Sequence, residues 1–218
     1  MIDFRPWKEE LEFPLFRFVW AISALLLFPS LLCCAGLPET SIPLASTLAA
    51  LPVCVGSTGQ LGIKPLKAGD FGLILLFYGV IILLTSVTTP VWQMLLDKLQ
   101  ITYSEKQDDI LELLSSRSIR SRLLVYMSVC VITPVVEEVI FRRIVYSYFV
   151  RVNQFAGILI TSLLFSLAHF FIYGIPGLFI MGLAFQLIYL LRQNLLTAMI
   201  LHGLVNTMVF LVHYFTQL

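Results

Sequence analysis

The chain has 218 residues, of which 59% are hydrophobic and only 12% charged, with a formal net charge of +1 and a mean hydropathy of +0.93. A water-soluble domain of this size cannot hide so much apolar side chain, because globular composition runs nearer half apolar and a quarter charged, so lipid is the solvent for most of it. The net charge offers no basic field to nucleic acid, and Cys33, Cys34, Cys54 and Cys130 sit in apolar runs without metal-site or disulfide spacing, as buried free thiols do.

The first apolar run, residues 18–35, follows a start that mixes Asp3, Glu9, Glu10 and Glu12 with Arg5, Lys8 and Arg17. A cleaved signal has a short basic start and a small-residue cleavage site, so this run is expected to stay as a first span. Residues 42–55 form a short second run containing Pro43 and Pro52, which spans, tilts or re-enters. Residues 56–70 read as a polar connection. Residues 71–96 are the clearest span, with a kink expected at Pro90. Residues 97–122 are the one long hydrophilic segment, in which Ile110, Leu111, Leu113 and Leu114 suit an amphipathic helix lying on the membrane surface near 105–120.

Residues 123–136 are apolar and lead into Glu137-Glu138. If the helix continues through Phe141 to Tyr148, both carboxylates lie at membrane depth. Residues 153–172, 178–191 and 195–215 supply three more expected spans, joined by Gly174-Ile175-Pro176-Gly177 and by Arg192-Gln193-Asn194. The expected fold is an all-α polytopic bundle of six to seven spans. Residues 1–122 form a variable membrane region with its connector, and residues 123–218 a four-helix core. Lys and Arg are too evenly spread among the loops to fix its orientation.

Ionisable groups inside a membrane are costly, so each is a functional hypothesis. Glu138 and Arg142 are four apart on one helix face, in the favourable acid-before-base order, and such a pair neutralises itself. Glu137 points about 100° around the helix and is left over, a carboxylate free for proton transfer. Phe165 and His169 share a second face. His202 and Asn206 share a third, where Gly203 allows close helix approach and both polar side chains can donate to an oxyanion. Each residue alone also has a bland reading as bundle glue. Gln186 is expected to hydrogen-bond a neighbouring helix, Arg143 to reach out to the interface, and His213 to be interfacial. Three polar faces in one bundle shift the balance towards a site.

The patterns E-E-x-x-x-R (Glu137, Glu138, Arg142), F-x-x-x-H (Phe165, His169) and H-x-x-x-N (His202, Asn206), in that order on successive membrane segments, resemble the CPBP family of CAAX prenyl proteases and bacteriocin-processing enzymes, also called the Abi family. Pro134, Phe141-Arg142 and Leu167-Ala168-His169 extend the likeness, which covers residues 123–218. The resemblance implies a glutamate-dependent intramembrane endopeptidase in which Glu137 and His169 activate water. It further implies that His202 and Asn206 stabilise the oxyanion, and that Glu138 and Arg142 support the helix or orient substrate. Arg143 stands where the family usually has Gly, which puts packing or substrate access at that point in question.

No H-E-x-x-H, G-x-S-x-G or G-x-G-D pattern is present. Hydrolysis with no metal and no other cofactor is therefore the leading expectation, ahead of a metal set of Glu137, His169 and His202. The expected substrate is a prenylated CAAX-type peptide or another peptide or protein reached from the membrane or its surface, in a bacterial inner or cell membrane. The competing class is an inactive scaffold or immunity protein of the same fold. A proton-coupled carrier is disfavoured because no internal repeat is visible.

Overall fold

The computed structural model describes residues 61–103 and 119–216, together with Val19, Trp20 and Ser23. Everything regular among them is helical. The first long helix, α1 (Ala68–Lys98), begins where the Asp70 carboxylate accepts the Lys67 backbone N–H at 2.6 Å. The same carboxylate pairs with Arg192 at the C-terminal end of another helix. An acid in a first turn and a base in a last turn each complement the helix dipole. The expected polar connection therefore ends in a buried aspartate that clamps two helix ends together. Pro90 lies within α1, which runs on as far as Lys98. Its exposed side is lined by Leu75, Leu76, Leu83, Val87 and Val91, the surface a lipid-facing helix needs.

The second helix, α2, is continuous over residues 119–149. Two π-helical stretches, Met127–Ile132 and Val139–Val145, alternate in it with α-helical turns. It carries the glutamates through the bundle, as the continued-helix expectation required, and its spanning part is Arg122–Phe149. Asn153 then caps α3 (Gln154–Leu167), its side-chain oxygen accepting the N–H groups of Phe155 and Ala156. The chain leaves the helix at Ala168, and Phe170 takes a left-handed φ of 49°.

Helix α4 (Ile175–Arg192) starts with Pro176 in its first turn, where a missing N–H is tolerated. It ends at Gln193 in the left-handed conformation. Helix α5 (Leu195–Thr216) completes the bundle.

Four of these helices are long and apolar enough to cross a membrane. Residues 153–172 do not form the span expected of them. With 14 residues α3 is about 21 Å long, short of a hydrocarbon core about 30 Å thick. Apart from Val19, Trp20 and Ser23, the apolar run 18–35 lies outside the described residues, as do the run 42–55, residues 104–118 of the expected amphipathic segment, and Cys33, Cys34 and Cys54. Among the described residues four helices are thus candidate spans, and the expected count of six to seven is not confirmed.

Helix α4 packs against α3, α1 and α5, and α5 also lies along α2. Backbones approach closely at Gly203 and at Gly182. A Cβ on Gly203 would stand 2.8 Å from the Cys130 carbonyl oxygen on α2, and one on Gly182 would stand 3.1 Å from the Ser162 backbone on α3. The close approach expected of Gly203 is present. Asn194, in the α4–α5 turn, exchanges two hydrogen bonds with the Lys64 backbone, and Leu195 donates its backbone N–H to Gly62. The segment before α1 is thereby tied to the same bundle.

Candidate active site

Glu137 and Glu138 lie on the α-helical turn Thr133–Glu138, between the two π-helical stretches of α2. Such bulges rotate the following side chains and recur at functional sites. Pro134 explains part of the register. The Thr133 N–H reaches back five residues to the Ser128 carbonyl. In that register an N–H on residue 134 would serve Val129, but proline has none. The freed Val129 carbonyl instead accepts from Nδ2 of Asn206 on α5, at 2.9 Å.

Glu138 is fully buried and pairs with the Arg142 Nε at 2.9 Å, one turn along. This is the pair expected from the i, i+4 spacing, held as a charge contact rather than as an aligned hydrogen bond. The Arg142 guanidinium lies over the Phe165 ring at 4.8 Å and near those of Phe185 and Phe141. Its Nη2 donates to the Gly182 carbonyl at 3.4 Å. The pair does not stand apart from the site, however. The other oxygen of Glu138 hydrogen-bonds to Nδ1 of His202 at 2.9 Å.

Glu137 lies where the three helices meet. Its Oε2 is 3.9 Å from Nε2 of His169 and 3.9 Å from Nε2 of His202. That oxygen makes no hydrogen bond to the protein. Each histidine is held by its other nitrogen. His169 Nδ1 is 2.8 Å from the Phe165 carbonyl, an oxygen that can only accept, so Nδ1 carries the proton. By the same logic His202 Nδ1 donates to the Glu138 carboxylate. Both rings are packed as well as bonded. His202 stacks on Phe185 at 4.7 Å, and Phe165 lies 4.9 Å from His169. Glu137 and His169 keep side-chain exposures of 15% and 22%, against 5% for His202, so the cluster is reached from the side of Glu137 and His169.

A distance of 3.9 Å is too long for a direct hydrogen bond and short enough for one water to donate to both acceptors. Among the described residues no group of three His, Cys, Asp or Glu side chains is arranged to hold a metal ion. Glu137, Glu138, His169 and His202 are brought together, with Arg142 behind them. Asn206 sits one turn from His202 with one amide hydrogen given to Val129, which leaves its second for another acceptor.

Two expectations fail here. Arg143 does not reach the interface. It is buried, donates to the Tyr189 hydroxyl at 3.3 Å, and lies against Gly62. Gln186 is fully buried, yet neither amide atom hydrogen-bonds to the protein. The Glu138–His202 bond was missed because spacing along one helix says nothing about which carboxylate a second helix will meet.

Residues 119–208 match the family model described as Rce1-like, type II CAAX prenyl endopeptidase. No curated protein and no solved structure matches the chain. The matched residues run from the start of α2 to beyond Asn206 and include every side chain of the cluster, so it is this C-terminal segment that is similar to the CAAX-protease (CPBP) family.

Proposed function

We propose that the chain is an intramembrane endopeptidase that cleaves a peptide bond with a water held between Glu137 and His169. The observation that carries this reading is the buried Oε2 of Glu137, which makes no hydrogen bond to the protein and lies 3.9 Å from the Nε2 of each of two histidines whose Nδ1 atoms are already committed. A water donating to Glu137 Oε2 and His169 Nε2 has its lone pairs free for attack. As its oxygen bonds to the scissile carbonyl carbon, its proton passes to Glu137. That proton is then delivered to the leaving amine nitrogen as the C–N bond breaks.

His202 and the second N–H of Asn206 receive the oxyanion. For His202 to donate from Nε2 it must carry protons on both nitrogens, and Glu138 on Nδ1 is the partner that such an imidazolium needs. Arg142 balances Glu138. The water needs no metal for this role. The substrate is a prenylated CAAX-type peptide, as the family's name suggests, or another membrane-associated peptide, which enters from the partly exposed side of Glu137 and His169.

The test is mass spectrometry of a prenylated CAAX-type peptide and its unprenylated twin after incubation with the detergent-solubilised chain. Cleavage of the prenylated peptide supports the reading. Survival of that peptide and of a mixed membrane-peptide pool contradicts it.

A further inference from the structure

Three buried side chains, Arg142 on α2, Thr161 on α3 and Gln186 on α4, hold polar atoms that make no hydrogen bond to the protein. Arg142 is nine-tenths or more buried, and its Nη1 makes no hydrogen bond to the protein. Thr161 and Gln186 are both fully buried, and neither the threonine hydroxyl nor either amide atom has a protein partner.

Helix geometry places them together. On α3, Gly157 packs against Tyr146 of α2 and against Val150 just beyond it, while Phe165 meets Phe141 and lies beneath the Arg142 guanidinium. Thr161 is midway between them at i+4 spacing, so it looks onto α2 near Arg142. On α4, Arg142 reaches the Gly182 carbonyl and Arg143 reaches Tyr189. Gln186 lies between those two contact points, on the face turned to α2.

Buried polar groups left without partners are rare because each one forfeits its hydration. The ligand that satisfies this set must both accept and donate. Arg142 offers only donors, the Gln186 carbonyl only accepts, and Thr161 does either. An anion such as chloride would leave the Gln186 oxygen unsatisfied.

We propose that Arg142, Thr161 and Gln186 form a built-in site for ordered water, which holds the guanidinium in place behind Glu138. Buried waters of this kind make two to four hydrogen bonds and form part of the fold. Resting on the peptidase reading, the site makes Thr161 and Gln186 positioning residues. They act through Arg142 and Glu138 on the orientation of His202.

Substitution at Thr161 separates a water site from dry packing. Thr161→Val keeps the shape and loses the hydroxyl, whereas Thr161→Ser keeps the hydroxyl and loses a methyl. In a dry cluster, removing an orphaned hydroxyl stabilises the fold. At a water site it removes a hydrogen bond. Thermal unfolding of the full chain in detergent is expected to place Thr161→Val and Gln186→Leu about 2–4 °C below wild type, with Thr161→Ser closer to wild type than Thr161→Val. Midpoints for the valine and leucine variants equal to or above wild type would overturn the water site.

The positioning role is read from kcat, which should fall several-fold in Thr161→Val and be retained in Thr161→Ser. Equal kcat in the two variants would overturn that role. A wild-type chain that shows the predicted order of midpoints but cleaves no peptide would sink the peptidase reading and leave the water site standing.

Discussion

Glu138 and His202, 64 residues apart on α2 and α5, are joined by a buried 2.9 Å hydrogen bond between Oε1 and Nδ1. The bond turns the His202 Nε2 towards Glu137 and gives the Glu138–Arg142 pair a place in the site. A carboxylate behind a histidine fixes its tautomer and supports its protonated form, and losing such a partner costs on the order of 10²–10⁴ in kcat. Glu138→Gln is therefore expected to lower kcat by at least about 10²-fold with KM little changed, measured by steady-state cleavage of whichever peptide the wild type accepts.

Removing Arg142 would leave Glu138 as an uncompensated charge among apolar rings. Arg142→Met should destabilise the chain by about 3–5 kcal/mol, read from denaturant unfolding in detergent. The double variant Glu138→Met with Arg142→Met should recover much of that stability, because replacing a buried ion pair by apolar side chains is often neutral or stabilising. It should stay inactive, since His202 has lost its partner. A double variant as unstable as the single one would contradict this account of the pair.

The α2–α5 seam depends on Gly203. A Cβ there would meet the Cys130 carbonyl oxygen, a backbone atom, at 2.8 Å, so the helices must separate. Gly203→Ala should destabilise the fold by about 1–3 kcal/mol and reduce cleavage by moving His202 away from Glu137. Unchanged stability and rate would show that the seam yields without cost.

The proposed activation of water by Glu137 and His169 invokes no metal. Cleavage should proceed at an unchanged rate after dialysis against strong chelators, and added zinc should not raise it. Loss of activity on chelation with recovery on zinc would favour the metal set of Glu137, His169 and His202.

Much of the site was legible because helical spacing is local. E-E-x-x-x-R places Glu138 and Arg142 on one face and turns Glu137 off it, and the structure keeps both features. The continued helix through the glutamates and the close approach at Gly203 were legible for the same reason. What spacing along one helix cannot give is the partner across the bundle. Glu138 meeting His202, Asp70 meeting Arg192, and Arg143 turning inward to Tyr189 and Gly62 all depend on how helices are stacked. The shortness of α3 was hidden by the apolar residues after His169, which read as more of the same span. Asn206 was expected as a donor, and it does donate, but the visible bond goes to the Val129 carbonyl that Pro134 leaves free.

The central claim is that Glu137 carries the proton of the attacking water. The most direct measurement compares wild type with Glu137→Gln, each shown by thermal unfolding to be folded, for cleavage of the same peptide under single-turnover conditions. The account predicts a folded variant with no detectable product. A folded Glu137→Gln chain that cleaves at the wild-type rate would contradict it.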